Sequence, residues 1–222
     1  PANRIRERFS VDVPDFYAVH YNAAPTQLLP VITSGSQGLS LFYWGTSPEW
    51  SKNKMLSEKI YNLRSEHLEE KPALKRAMMK TRCIVPADGF YAWKKVGKKT
   101  SIPYRFVLAN SDLFSFAGIW EEFEDTEGHQ IQTFNIFTTP STEPVSLIQE
   151  RMPVMLTPET EKVWLEKSSA EADLVAILKP FISSKINYYP VSPKISNHAI
   201  DMPSLIIPTP PADQFGNLTL FD

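Results

Sequence analysis

The sequence predicts an α+β fold: one domain built on a curved, mainly antiparallel β-sheet core with a few peripheral helices. Seven runs rich in β-branched and aromatic residues recur along the 222 residues, separated by turn formers. Only three stretches carry helical spacing. Nineteen prolines against eight glycines, scattered through the chain, keep the elements short and punctuated.

The strand-like runs cover residues 29–33, 39–44, 104–108, 113–120, 131–138, 152–156 and 188–191. Three connections read as hairpins: Val96 to Lys99 turns the chain after Trp93, Asn110-Ser111-Asp112 joins one pair of runs, and Asp125 to Gly128 joins the next. Pro72 suits the first position of a helix with Leu74, Ala77 and Met78 on one face and Lys75, Arg76 and Lys80 mainly on the others. Thr157-Pro158 opens a second helix through Val163, Trp164 and Leu165. Ser168 with Glu171 forms a capping-box pattern before Leu174, Ile177 and Leu178, and that helix stops at Pro180. Residues 1–206 read as the domain and 207–222 as a Pro-rich tail, whose first part is an extended linker.

With 42% hydrophobic residues the chain can bury a full core, and no apolar run approaches a membrane span. A cytoplasmic, monomeric protein is expected. The single Cys83 excludes an internal disulfide and a Cys-rich metal site, and its apolar neighbours mark it as a core residue rather than a nucleophile. A net charge of −2 confines any nucleic-acid contact to a local patch. Lys52, Lys54, Lys75, Arg76, Lys80, Arg82, Lys94, Lys95, Lys98 and Lys99 are the candidates, or else ordinary solvated faces and hairpin tips.

Asn62, Arg64 and Glu66 alternate, so an extended segment would turn an amide, a guanidinium and a carboxylate toward one ligand. The alternative is an Arg64 to Glu66 ion pair that ties strands together. Trp93 offers either a flat face for a base or a plain core side chain.

Further short signatures accompany these residues. They are Tyr-Asn-Ala-Ala-Pro-Thr-Gln at 21–27, Trp44-Gly45, Asn-Leu-Arg-Ser-Glu at 62–66, Arg-Cys-Ile-Val-Pro-Ala-Asp-Gly-Phe-Tyr-Ala-Trp at 82–93, Phe-Ala-Gly-Ile-Trp at 116–120, Thr138-Thr139, Arg-Met-Pro at 151–153 and Pro-Val-Ser at 190–192. In this order and spacing they resemble the SRAP family, the SOS-response-associated peptidase fold, over nearly the whole chain. The resemblance implies a DNA-damage function near the nucleoid: binding single-stranded DNA and crosslinking to abasic sites, without metal or organic cofactor. It assigns Asn62 to the nucleophile or the abasic sugar, Arg64 and Arg151 to phosphate or sugar, and Thr138 and Thr139 to the backbone near the lesion. Trp93 would stack a base, Pro25 and Trp44 would splay the strand, and Glu66 belongs to the same pocket.

The family's reactive groups are an N-terminal Cys, a Glu and a His, and here the last two positions hold Ala92 and Gln149. Gln can hydrogen-bond but cannot shuttle a proton near neutral pH. Glu49, Glu66, Glu150 and His20 are the candidates nearby in sequence to substitute as proton carriers. The stretch from Pro1 to Phe9 resembles one about ten residues inside the family's N-terminus, so a short upstream strand bearing the Cys is expected. The expected function is an abasic-site sensor that crosslinks through that Cys; the alternative is a catalytically degraded adaptor for single-stranded DNA or a sliding clamp. A peptidase acting on separate substrates lacks a supporting Ser-His-Asp or Cys-His arrangement. The closing Leu-Thr-Leu-Phe resembles a clamp-binding peptide anchored by Leu218, Leu220 and Phe221, or else it docks on its own domain.

Overall fold

Alternating apolar residues build two sheets. The computed structural model describes residues 1–45, 61–125, 127–180 and 185–218. The larger sheet contains β1 (Leu28–Thr33), β2 (Ser40–Trp44), β3 (Asn62–Arg64), β4 (Arg82–Ala87), β7 (Phe114–Glu124), β8 (Gln130–Pro140), β9 (Arg151–Pro153) and β10 (Met155–Leu156). The smaller holds β5 (Phe90–Lys95), β6 (Ser101–Leu108) and β11 (Ile186–Pro190). Around them lie α1 (Ala2–Phe9), α2 (Pro72–Lys80), α3 (Pro158–Leu165) and α4 (Glu171–Ile177).

Pairing runs from β1 to β2, β8, β7, β4 and back to β1, so the large sheet closes into a barrel. Closure leaves those five strands without an unpaired edge where they meet. Side-chain alternation sorts the core: on β4, Cys83 and Val85 face one cluster and Ile84 the other, and on β8 Phe134 and Ile136 oppose Phe137. The first core cluster, which takes Ile84 and Phe137, is covered by the helices through Ile5, Met78, Trp164 and Leu174. The second joins the barrel strands to the small sheet through Ala92, Ile102, Tyr104 and Phe106.

Two signature glycines mark places where backbones approach closely. A Cβ on Gly118 would lie 2.8 Å from the Asn135 carbonyl oxygen, and one on Gly89 would lie 2.8 Å from that of Phe106.

The mainly antiparallel expectation holds with one exception that shapes the site. β2 and β3 both run parallel to β8, one after the other along the same edge: Trp44 pairs with Phe134, and Asn62 with Ile136. Gly45 N–H donates to the Phe134 carbonyl at 2.7 Å, and Ile136 N–H to that of Tyr61 at 3.1 Å, so the chain leaves this edge and rejoins it almost at the same point.

Other expectations are corrected. Asn110 to Asp112 does not close a hairpin, because β6 belongs to the small sheet and β7 to the barrel. Ser168 donates to Glu166 instead of capping α4, which starts after Ala170 without a side-chain cap, and Glu171 pairs with Lys75 at 2.7 Å. The capping box forms at α3, between Thr157 and Thr160. The other two turns close β5 on β6 and β7 on β8.

Arg82 leaves the list of surface cations. Only 2% exposed, it donates to the carbonyls of Trp164, Met78, Met79 and Glu166 at 2.5–2.9 Å, joining the ends of α2 and α3. Nor does the start of the tail hang as a free linker. Thr209 N–H donates to the Pro190 carbonyl, Gln214 bridges Lys99 and Ser101, and buried Asp213 organises a turn through Phe215 and Asn217.

Candidate nucleic-acid interface

β3 shows why the alternation at 62–64 matters. Leu63 packs on the helix-covered cluster, which turns Asn62 and Arg64 outward, both exposed and without a side-chain hydrogen bond to another described residue. The extended phase ends there. Ser65–Leu68 forms a 3₁₀ turn that buries Leu68, and Glu66 swings to a different partner from the one expected. Glu66 accepts two hydrogen bonds from Arg151, Nη1 to Oε1 at 2.8 Å and Nη2 to Oε2 at 2.9 Å, instead of pairing with Arg64.

Arg151 is further held by Thr138. Its Nη2 donates to the Thr138 carbonyl at 2.8 Å, and its Nε and Nη2 reach Thr138 Oγ1 at 3.2 and 3.1 Å. Thr138 Oγ1 in turn donates to the Leu63 carbonyl at 3.1 Å, tying the clamp to β3. The hydrogen bonds from Arg151, followed by backbone bonding and nearby guanidinium charge, hold the Glu66 carboxyl down at about 2 despite partial burial.

Aromatic surface continues this edge toward β2. Trp44 lies parallel to Phe134 at 6.3 Å and edge-on to Tyr61 at 6.1 Å, and its Nε1 donates to the Tyr61 carbonyl at 3.0 Å. The turn carrying Pro25 is fastened beside it, because Thr26 N–H donates to the Trp44 carbonyl at 2.8 Å. Pro25, Trp44, Asn62, Arg64, Glu66 and Arg151 therefore gather on one stretch of surface, with Thr138 buried beneath Arg151. Gln149 joins its margin, exposed, with Nε2 donating to the Arg151 carbonyl at 3.2 Å.

Other candidates are placed elsewhere. Thr139 is buried in β8 opposite Met152. Ala92 is 1% exposed, opposite Tyr104 and inside the second core cluster. Trp93, on the reverse face of β5, packs with Val191, Ile195 and Leu205, and its Nε1 reaches Ser196 Oγ at 3.4 Å. Cys83 is fully buried, and burial pushes its thiol well up from the ordinary value, as suits a core residue. His20 contacts Asp201 at 3.1 Å. Lys95, Lys98 and Lys99 sit exposed around the β5 to β6 turn. Glu49, Lys52, Lys54, Leu220 and Phe221 lie outside the described residues.

Asn22 and Asp201 were not singled out from the sequence, yet they fix the Pro25 turn. Buried Asn22 donates through Nδ2 to the carbonyls of Ile195, Asn197 and Ile200, while Asp201 accepts from the N–H groups of Tyr21 and Asn22. An Asn enclosed by Tyr, Ala and Pro was the available signal.

An exposed amide and guanidinium beside an aromatic shelf suit a sugar-phosphate strand with unstacked bases. No group of three metal-ligating side chains occurs among the described residues. A crystal structure of a protein from Bacteroides thetaiotaomicron superposes on this fold with a TM-score of 0.83 at 28% identity, over 94% of this chain and 96% of that one. Residues 1–198 match the family model described as SOS response associated peptidase (SRAP), and the chain belongs to that family. Among its relatives are two proteins of Bacillus subtilis (strain 168). Abasic site processing protein YoqW is 39% identical over 91% of this chain and 93% of its own length, and abasic site processing protein YoaM is 39% identical over 82% and 81%.

Proposed function

We propose that this protein recognises abasic sites in single-stranded DNA. The observation that carries the reading is the outward pair Asn62 and Arg64 on β3, presented beside Trp44 on an edge whose backbone is locked to β8. Arg64 takes a phosphate, the Asn62 amide reaches the exposed sugar that lacks a base, and Trp44 with Pro25 holds the neighbouring nucleotides apart. Arg151 and Thr138 border the same path, Trp93 buttresses the small sheet, and Glu66 governs Arg151.

The names of the relatives, abasic site processing proteins, support the abasic site as the lesion. Arg64→Ala should weaken binding to an oligonucleotide with one tetrahydrofuran abasic mimic about tenfold, one charge-assisted phosphate contact, with little change in melting temperature. Equal fluorescence-polarisation titrations for the two proteins would overturn the reading.

Covalent capture is the finer proposal. A terminal cysteine's amine condenses with the ring-opened aldehyde, releasing water, and its thiolate adds to the imine carbon to close a thiazolidine while the nitrogen takes the proton. The buried Cys83 cannot serve. Ala92 and Gln149 bring no ionisable group to this chemistry, which favours the second reading, a binding adaptor. The natural full-length protein, incubated with abasic single-stranded DNA and run on a denaturing gel, separates the two: a retained covalent band supports capture, and binding without a band supports the adaptor.

A monomer in the cytoplasm near the nucleoid fits this work. Among the described residues no helix is long and apolar enough to cross a membrane. A sliding clamp is the proposed protein partner, with Leu218 64% exposed at the end of the docked tail. Loss of clamp pull-down on Leu220→Ala with Phe221→Ala, the fold intact, is the result expected; unchanged pull-down removes the clamp from the proposal.

A further inference from the structure

We infer that Glu66 is an internal competitor for nucleic-acid phosphate, occupying Arg151 in the free protein and yielding it when a strand binds. This rests on the proposed DNA-binding role of the β3 edge.

The geometry has three parts. First, the carboxylate meets the guanidinium through two parallel N–H to oxygen bonds at 2.8 and 2.9 Å, the fork arrangement that a phosphate makes with the same group. Secondly, the pair sits at the rim. The Arg151 side chain keeps 23% of its surface exposed and that of Glu66 43%, so an incoming anion can reach the guanidinium and the released carboxylate can turn into water without a desolvation cost. Thirdly, Arg151 does not depend on Glu66 for its position. Thr138 holds Nε and Nη2 through its hydroxyl and carbonyl oxygens, which keeps the guanidinium aimed along the edge when the carboxylate leaves.

Charge placement gives the exchange a direction. Thr138 pairs with Arg64 on β3 and with Pro153 on β9, and it binds Arg151, so both arginines meet β8 at one residue, Arg64 by its backbone register and Arg151 by its guanidinium. While Glu66 is forked to Arg151, Arg64 makes no ion pair or side-chain hydrogen bond with another described residue there. Two adjacent phosphates can engage both, whereas a small anion that meets only Arg64 leaves the clamp closed. Glu66 therefore lowers affinity for nucleic acid in general and makes capture depend on a strand that spans both arginines.

The test compares wild type, Glu66→Gln, Arg151→Gln and the double variant, titrated with an abasic single-stranded oligonucleotide over a range of salt concentrations. Glu66→Gln should bind roughly threefold to tenfold tighter, the order of a surface ion pair released. Its salt dependence should steepen by about 0.7 in the log-log slope, one additional uncompensated cation against a single strand. In the Arg151→Gln background the same change should have no effect. Weaker binding by Glu66→Gln, accompanied by a lower melting temperature, would make the pair a structural tie. An equal gain in both backgrounds would reduce it to long-range repulsion. Either result overturns the inference, and binding by none of the four proteins would instead sink the DNA-binding reading beneath it.

Discussion

Arg64 on β3 and Arg82 on β4 stand on the same barrel, and their surroundings differ in kind. Arg64 is exposed, with its donors turned to solvent on a short strand fixed by β8. Arg82 is enclosed, and four backbone carbonyls from two helix ends and their flanks receive its donors. A similar contrast separates Asn62 from Ala92 and Trp93, where the β5 motif faces two packed clusters. Motifs of one family can therefore mark two different things. The β4 to β5 motif largely specifies how the sheets, helices and the 191–206 segment fit together. The β3 motif specifies what the assembled surface presents.

Stability measurements sharpen that division. Arg82→Met should destabilise by about 3–5 kcal/mol, since it strands the carbonyls of Trp164 and Met78, whose bonds to the guanidinium are buried; a loss under 1 kcal/mol in urea denaturation would place Arg82 with the surface cations after all. Trp93→Ala follows, at about 2–3 kcal/mol from lost packing against Val191, Ile195 and Leu205. If its melting temperature holds while DNA affinity drops, Trp93 is a stacking platform and the contrast with Trp44 dissolves.

The smallest effect is a pH dependence at Glu66. Its folded value, about 2, lies below the ordinary 4.5, so the Arg151 clamp contributes fully above pH 4.5 and loses its contribution as pH falls toward 2. The stability difference between wild type and Glu66→Gln, less than about 1 kcal/mol for a solvent-screened pair, should shrink across that window. A difference that stays constant or widens on acidification would show that another group governs the clamp.

Much of this was legible in the chain. Alternation placed Asn62 and Arg64 on one face, although not Glu66, apolar neighbours marked Cys83 as core, and Pro72 and Thr157-Pro158 marked the starts of α2 and α3. The α1 helix was missed, because its apolar residues are few: Ile5 alone is buried, and Arg4, Arg6 and Arg8 anchor it to Ser111, Val13 and Glu161. The motif at 82–93 spans two full strands, β4 and β5, that belong to different sheets.

The sequence by itself determined which faces are apolar, where most elements begin, and which family's motifs the chain carries, because periodicity and capping act over a few residues. Only the tertiary structure decided that Glu66 meets Arg151, 85 residues away, that β2 and β3 share one edge of β8, and that Arg82 is enclosed while Arg64 is exposed. Those choices depend on how the barrel closes, and closure brings together segments whose separation along the chain carries no local signal of their meeting.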